Sequence, residues 1–158
     1  DLRMSRGLGD VYKRQVFMCF ALATNTSLLV MDEPSNGLDI PSKSQFRKVI
    51  ASGMTDEKAV IISTHQVRDI DSLLDHVVII DGTRVLLNES VKTICEKLYF
   101  VEQGMNESTD TALYVQPSVQ GNSVIFPNTY NEETNLNLEV LFNAMLTERE
   151  KMQFLFNK

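Results

Sequence analysis

Two adjacent carboxylates, Asp32 and Glu33, follow an apolar run and are themselves followed by a proline. The run Leu28–Met31 is short and ends at turn residues, a pattern typical of a strand buried on both faces. Pro34 ends the strand, because proline cannot donate to a ladder. Two carboxylates at the carboxyl end of a buried parallel strand lie where open α/β sheets bind ligands. Since the two charges repel each other, the pair indicates a bound cation or a reaction that needs both.

The longer stretch around this pair, Ser27–Asp39 (SLLVMDEPSNGLD), resembles the Walker B motif and D-loop of ATP-binding-cassette (ABC) ATPases. The resemblance implies that Asp32 holds Mg²⁺ through water and that Glu33 is the general base for the water attacking the γ-phosphate of ATP. It also implies cofactor-binding roles for Ser35 and Asp39, with Asp39 in a loop that reaches across a dimer of such domains. The residue types suit phosphoryl transfer, which needs metal neutralisation and a positioned water more than covalent help.

His65 is the second candidate catalytic residue. It follows the apolar run Ala59–Ser63, one predicted helix after the Asp-Glu-Pro sequence. A lone histidine at a strand end is more often structural, but this position matches the switch histidine of the family, which contacts the γ-phosphate. An imidazole can donate to a phosphate oxygen while a neighbour fixes its other nitrogen. His76 precedes the apolar run Val77–Ile80 and is interpreted as an ordinary strand-edge residue.

The elements predicted around these residues are helical and extended in alternation, so the expected fold class is α/β with parallel strands. The resemblance implies the C-terminal half of a P-loop NTPase domain of the ABC type over residues 16–98. Apolar residues nearly all round the segment 16–24 predict a buried helix. The other predictions are a helix opened by Pro41 or capped by Ser42, a second buried strand at 59–63, a helix at 67–74, a hairpin around Asp81-Gly82, and a short helix capped by Ser90 that reaches Leu98.

Residues 99–158 form a predicted accessory region of mixed α+β character. Short strands are expected at 112–115 and 123–126, separated by polar turn-rich segments. Apolar residues at helical spacing predict a terminal amphipathic helix from Asn137, which can cap it. This helix is expected to dock on its own domain, and contact with a partner is the alternative.

Residues 1–15 are expected to be foreign to the domain. The segment Ser5–Gln15 (SRGLGDVYKRQ) resembles the translation of an adapter used in sequencing libraries, and the alternative is a divergent ABC signature loop. No glycine in the sequence is followed by lysine, so the phosphate-binding P-loop GxxxxGK is absent. The chain is therefore expected to be a C-terminal fragment that does not turn over ATP alone.

Composition narrows the class of protein. The net charge of −6 weighs against a nucleic-acid partner, which requires clustered Lys and Arg. Two cysteines, Cys19 and Cys95, are too few for a disulfide framework and are expected to be reduced thiols.

The resemblance implies the energising ATPase subunit of an ABC transporter, with ATP and Mg²⁺ as cofactors. Its implied partners are a second ATP-binding subunit and a transmembrane permease, at the cytoplasmic face of the membrane. The alternatives are a soluble ABC-type ATPase acting on chromosomes or ribosomes, and a non-catalytic regulatory fragment.

Overall fold

The computed structural model describes residues 4–119 and 121–156, and these divide between Leu73 and Leu74 into two compact units. The first unit alternates helices and strands in chain order: α1 (Met4–Ala23), β1 (Leu28–Asp32), α2 (Ile40–Gly53), β2 (Ala59–Ser63) and two short 3₁₀ helices (Val67–Asp69 and Asp71–Leu73). The predicted α/β class with parallel strands is confirmed. Of the predicted foreign segment 1–15, residues 1–3 lie outside the described residues, and from Met4 onward its backbone belongs to α1.

The sheet of the first unit consists of β1 and β2, which pair in parallel with Leu28 opposite Ala59 and Asp32 opposite Ser63. The prediction that both strands are buried on both faces is wrong. Leu28, Val30 and Ile61 are each more than half exposed, because alternate side chains point to opposite faces and only one face meets the core. The core of this unit is formed by Met31, Leu38, Phe46, Ile50 and Ile70.

The helices of the first unit differ from the predictions in detail. α1 includes residues 16–23 of the predicted segment 16–24 but is not buried all round, since Val16, Phe17 and Phe20 are exposed. α2 carries a proline in its first turn as expected, but Asp39 rather than Ser42 caps it. The prediction of a helix at 67–74 is wrong. Its place is taken by two 3₁₀ turns, with Ile70 between them buried in the core.

The second unit begins with the predicted hairpin, in which β3 (His76–Asp81) pairs antiparallel with β4 (Arg84–Ser90). Gly82 has a φ of 57°, which accounts for glycine at the turn. Ser90 caps α3 (Val91–Lys97) as predicted, its Oγ accepting from the Thr93 N–H. The chain then enters β5 (Leu98–Gln103), a strand that the sequence patterns did not predict.

A three-stranded antiparallel sheet and two helices complete the second unit. Its strand order is β5–β7–β6, with β6 at Tyr114–Ser118 and β7 at Gly121–Pro127. Asn137 caps α4 (Leu138–Thr147) as predicted, and the expected single helix breaks at Glu148 before α5 (Arg149–Phe156). Both helices bury side chains in the unit's core, including Leu141, Met145 and Met152. The boundary predicted between residues 98 and 99 remains a prediction.

Among the described residues, no helix has the length and apolar character that crossing a membrane would require.

Candidate active site

The parallel pairing of β1 and β2 brings the loops that follow the two strands together. Asp32 and Ser63 are partners at the last position of the ladder, and the Glu33 N–H donates to the Ser63 carbonyl oxygen at 2.8 Å. The pairing thus extends one residue beyond β1. Because the carboxyl ends of parallel strands share one edge of a sheet, residues 33 and 65 meet there although 32 positions separate them in the chain.

Glu33 accepts three hydrogen bonds from the loop after β2. Its Oε1 accepts from the His65 N–H at 2.8 Å and lies 2.5 Å from His65 Nδ1, and its Oε2 accepts from the Thr64 hydroxyl at 3.0 Å. Desolvation would raise the pKa of Glu33, but the bonds from the His65 ring, the His65 N–H and Thr64 outweigh it and hold the pKa below its usual value. Glu33 is therefore a fixed, ionised carboxylate.

The backbone of Glu33 has a φ of 46°, in the left-handed region that side-chain-bearing residues seldom adopt. Such a conformation costs about 1–3 kcal/mol and persists only where the surroundings impose it. Here the Ser63 carbonyl oxygen and the loop after β2 impose it, by holding both the N–H and the carboxylate of Glu33. In this conformation the carboxylate contacts the N–H and the ring of His65.

The His65 ring lies on the open side of this pair. Its side chain is 71% exposed, against 28% for Glu33, so one ring edge faces the carboxylate and the rest faces solvent. The short Nδ1–Oε1 contact assigns the Nδ1 proton to the bond with Glu33. With Nδ1 so engaged, Nε2 accepts in the neutral ring and donates in the imidazolium. His65 can therefore link Glu33 to a further group on the solvent side.

Asp32 is exposed beside the Glu33–His65 pair, and its Oδ1 accepts from the Ser63 hydroxyl. No cluster of three or more His, Cys, Asp or Glu side chains in the described part of the chain is arranged to hold a metal ion. The oxygen set formed by Asp32 and Ser63 nevertheless suits Mg²⁺, which is commonly held by one or two carboxylates together with water and phosphate oxygens. The residues present therefore fit a Mg²⁺ ion that a nucleotide helps to bind.

Ser35 and Asp39 belong to the loop after β1, between that strand and α2. Ser35 is fully buried, and its Oγ has no hydrogen-bond partner among the described residues. Gly37 has a φ of 76°, which allows the loop to turn back toward α2. Asp39 caps α2 by accepting from the Ser42 N–H at 3.0 Å, and the hydrogen bonds from the Ser42 side chain and N–H lower the pKa of Asp39. Asp39 is exposed at the end of the loop.

The structure thus brings together Asp32, Glu33 and His65, three of the five predicted site residues. Sequence reasoning missed Thr64, whose hydroxyl holds Glu33, and Gln66, whose amide contacts two other segments. Their polar character within the loop after β2 was the available signal. The pattern of apolar runs carries no information on which side chain reaches Glu33, because that depends on the pairing of the strands.

The remaining candidate residues have ordinary surroundings. His76 lies in the second unit, where its Nε2 is 2.9 Å from the Asn88 Oδ1 across the β3–β4 hairpin, as expected for a strand-edge residue. Cys19 and Cys95 are both free thiols, and burial raises the pKa of Cys95. A raised pKa keeps that thiol protonated and unreactive.

Comparison with known proteins finds relatives that are named as ATP-binding proteins. The chain is 28% identical over 90 residues to an uncharacterized ABC transporter ATP-binding protein of Methanocaldococcus jannaschii, covering 57% of this chain and 34% of that protein. It is 25% identical over 122 residues to the Nod factor export ATP-binding protein I of Neorhizobium galegae, covering 75% and 35%.

A third relative is the ABC transporter ATP-binding protein NatA of Bacillus subtilis, 28% identical over 96 residues, covering 59% of this chain and 39% of NatA. No family model matches the chain. The chain spans about a third of the length of the curated relatives it matches. The similarity reaches over half to three quarters of the chain, and the predicted relationship is confirmed.

Proposed function

We infer that this chain, which is related to the ATP-binding proteins of ABC transporters, belongs to a protein that hydrolyses ATP to energise transport across a membrane. The observation that carries the inference is the Glu33–His65 contact at the edge of the parallel strands, with Asp32 beside it. A fixed carboxylate, an imidazole and a candidate metal ligand thus lie at the ends of two neighbouring strands and in the loops that follow them. Hydrolysis of a γ-phosphate requires groups of these kinds close together.

Glu33 orients the attacking water in this proposal. Its carboxylate is held by Thr64 and His65 and stays ionised, so it accepts a hydrogen bond from water and points the water oxygen at the phosphorus. A lowered pKa makes Glu33 a weak proton acceptor, but in a loose transition state bond formation to water lags behind cleavage. Positioning of the water then contributes more than early proton removal.

His65 supplies the second contact. Nδ1 donates to Glu33 while Nε2, on the exposed side of the ring, donates to a γ-phosphate oxygen when the ring is an imidazolium. Asp32 would hold Mg²⁺ together with phosphate oxygens and water, and the chemistry supplied there would be neutralisation of phosphate charge. Ser63 donates to Asp32 and so fixes the orientation of its carboxylate.

Asp39 and Ser35 are proposed to act through the loop after β1. Asp39 is exposed, which leaves its carboxylate able to meet a nucleotide-bearing partner domain. Ser35 is fully buried, so contact of its hydroxyl with a nucleotide requires the loop to move. The proposed partners are a second ATP-binding subunit and a membrane permease, at the cytoplasmic face of the membrane. The assignments of the two partners rest on the family relationship alone.

The experiment uses a chimaera in which this chain replaces the segment of B. subtilis NatA that aligns with it. We expect the chimaera to hydrolyse ATP and Glu33→Gln to lower kcat at least about 100-fold while ATP binding is retained, because the neutral amide makes weaker hydrogen bonds than the carboxylate and no longer holds the attacking water in position. Glu57→Gln, at an exposed glutamate after α2, is the matched control and leaves the rate unchanged.

Nucleotide binding and a cooperative melt show that each chimaera is folded. A folded, ATP-binding chimaera that hydrolyses ATP equally fast with and without Glu33→Gln would refute the assignment of Glu33. A folded chimaera that binds ATP but never hydrolyses it would refute the proposed catalytic function of this segment.

A further inference from the structure

The side chain of Gln66 joins three segments of the first unit. Gln66 precedes the first 3₁₀ helix, at a position from which a side chain could cap that helix, but it makes no capping hydrogen bond. Its partly buried amide turns elsewhere: Oε1 accepts from Lys43 Nζ in α2 at 3.1 Å, and Nε2 contacts Asn36 Oδ1 in the loop after β1 at 3.5 Å. Gln66 thus connects the loop after β2 with both α2 and the loop after β1.

The main chain of Gln66 belongs to the network that holds Glu33. The Gln66 N–H donates to the Thr64 hydroxyl oxygen at 2.9 Å, and that hydroxyl donates to Glu33 Oε2 at 3.0 Å. His65, immediately before Gln66, contacts Glu33 through both its N–H and its ring. A movement of the Gln66 side-chain amide can therefore shift the Gln66 main chain and, with it, the adjacent His65 that contacts Glu33.

We propose that Gln66 is a positioning residue that couples the loop after β1 to the His65 ring. Movement of Asn36 is transmitted through the Gln66 amide to the His65 main chain and so changes how the ring meets Glu33. The catalytic meaning of this coupling rests on the proposed function, in which the same loop ends at Asp39 and meets the nucleotide of a partner domain. The coupling itself is a property of this chain and can be measured without nucleotide.

The His65 ring provides a direct measurement, because the chain contains two histidines, His65 and His76. Ring ¹⁵N and ¹³Cε1 resonances of the full chain, recorded at one fixed pH, report how each ring is hydrogen-bonded. Gln66→Met keeps the length of the side chain and removes both amide contacts. We expect it to displace the His65 resonances, whereas the same substitution at the exposed Gln45 of α2 leaves them unchanged. His76 is the internal reference.

A double-mutant cycle separates coupling from a merely structural role. Asn36→Ala is expected to displace the His65 resonances in the wild-type background, and this displacement is expected to be lost in the Gln66→Met background. An equal displacement in both backgrounds would overturn the proposal, because the effect would then bypass Gln66. No displacement by Gln66→Met, in a chain whose far-ultraviolet spectrum is unchanged, would overturn it as well.

A second variant keeps the test valid if Gln66→Met unfolds the unit. Lys43→Met leaves Gln66 in place and removes the contact at the other end of its amide. It is expected to displace the His65 resonances, and silence of both Lys43→Met and Asn36→Ala refutes the coupling. Because no ATP is present, coupling without hydrolysis in the NatA chimaera would leave this inference standing and remove the proposed function. Hydrolysis by the chimaera without displacement of the His65 resonances would leave the proposed function standing and overturn the proposed coupling.

Discussion

Replacing Ser35 with alanine should stabilise the first unit, although loss of a buried side-chain atom normally destabilises a protein. Ser35 is fully buried, and its Oγ has no hydrogen-bond partner among the described residues. Leaving a buried hydroxyl unpaired costs about 1–3 kcal/mol. Removing one oxygen atom leaves a small cavity, worth about 0.5 kcal/mol at ~24 cal/mol per Å³. The difference predicts that Ser35→Ala raises the free energy of unfolding by about 0.5–2.5 kcal/mol.

The assay is urea unfolding of the full chain, followed by the ring signals of the two histidines. His65 lies in the first unit and His76 in the second, so the two ring signals give a separate reading of each unit. With a denaturant slope of about 2 kcal/mol per M, each kcal/mol of stabilisation moves the His65 midpoint up by about 0.5 M. The His76 midpoint should not move. Ser27→Ala, at an exposed serine before β1, is the matched control and is expected to change stability by less than about 0.5 kcal/mol.

A lower His65 midpoint in Ser35→Ala would refute this reasoning, because it would show that the Ser35 hydroxyl has a partner in the folded chain. An unchanged midpoint would refute the predicted magnitude. The expected rise of the His65 midpoint would bear on function. A buried hydroxyl that lowers the stability of the isolated chain would be consistent with a role for Ser35 in the complete ATP site, because functional residues often lower stability.

Three further predictions concern the charge, surface and caps of the chain. Hydrogen bonds from Ser42 lower the pKa of Asp39 in the folded state, so Asp39 contributes stability above the usual pKa of aspartate and loses this contribution as the pH falls through the folded pKa. Asp39→Asn should therefore flatten the dependence of the His65 midpoint on pH. An unchanged dependence would contradict this prediction. Val30 and Ile61 are cross-strand partners that are both more than half exposed, so we expect the chain to self-associate through this apolar face. Val30→Thr combined with Ile61→Thr should reduce that association in light scattering at a cost below about 1 kcal/mol, and an undiminished association would exclude this face as its cause. Asn137→Ala should lower the His76 midpoint by the equivalent of about 1 kcal/mol through loss of the α4 cap and leave the His65 midpoint in place; a shift confined to His65 would count against it.

Much of the local structure could be predicted from the chain because its causes are local. The runs 28–31 and 59–63 form strands, and the Asp81-Gly82 pair forms the hairpin turn. Ser90 and Asn137 cap the helices predicted for them. Each of these features depends on residues within one turn or one strand, where propensity and spacing decide the outcome.

The errors have a common origin in long-range packing. Leu28 and Val30 lie in an apolar run, but whether both faces of their strand are covered depends on which elements pack against it. Leu98 is buried as expected, yet it begins β5 instead of ending a helix, because pairing with Pro127 of β7 competes with helical propensity.

The candidate site divides in the same way. The sequence by itself determined which residues are the candidates for the chemistry: Asp32 and Glu33 at the end of one strand, and His65 after the next. The contacts among these residues depend on the parallel register of β1 and β2. This register brings His65 and Thr64 into hydrogen-bond contact with the Glu33 carboxylate. It also brings the Gln66 amide into contact with Asn36. The physical reason is that the type of a residue determines which chemistry its side chain can perform. Contacts between positions some 30 residues apart, in contrast, form only when the two strands pair in a particular register.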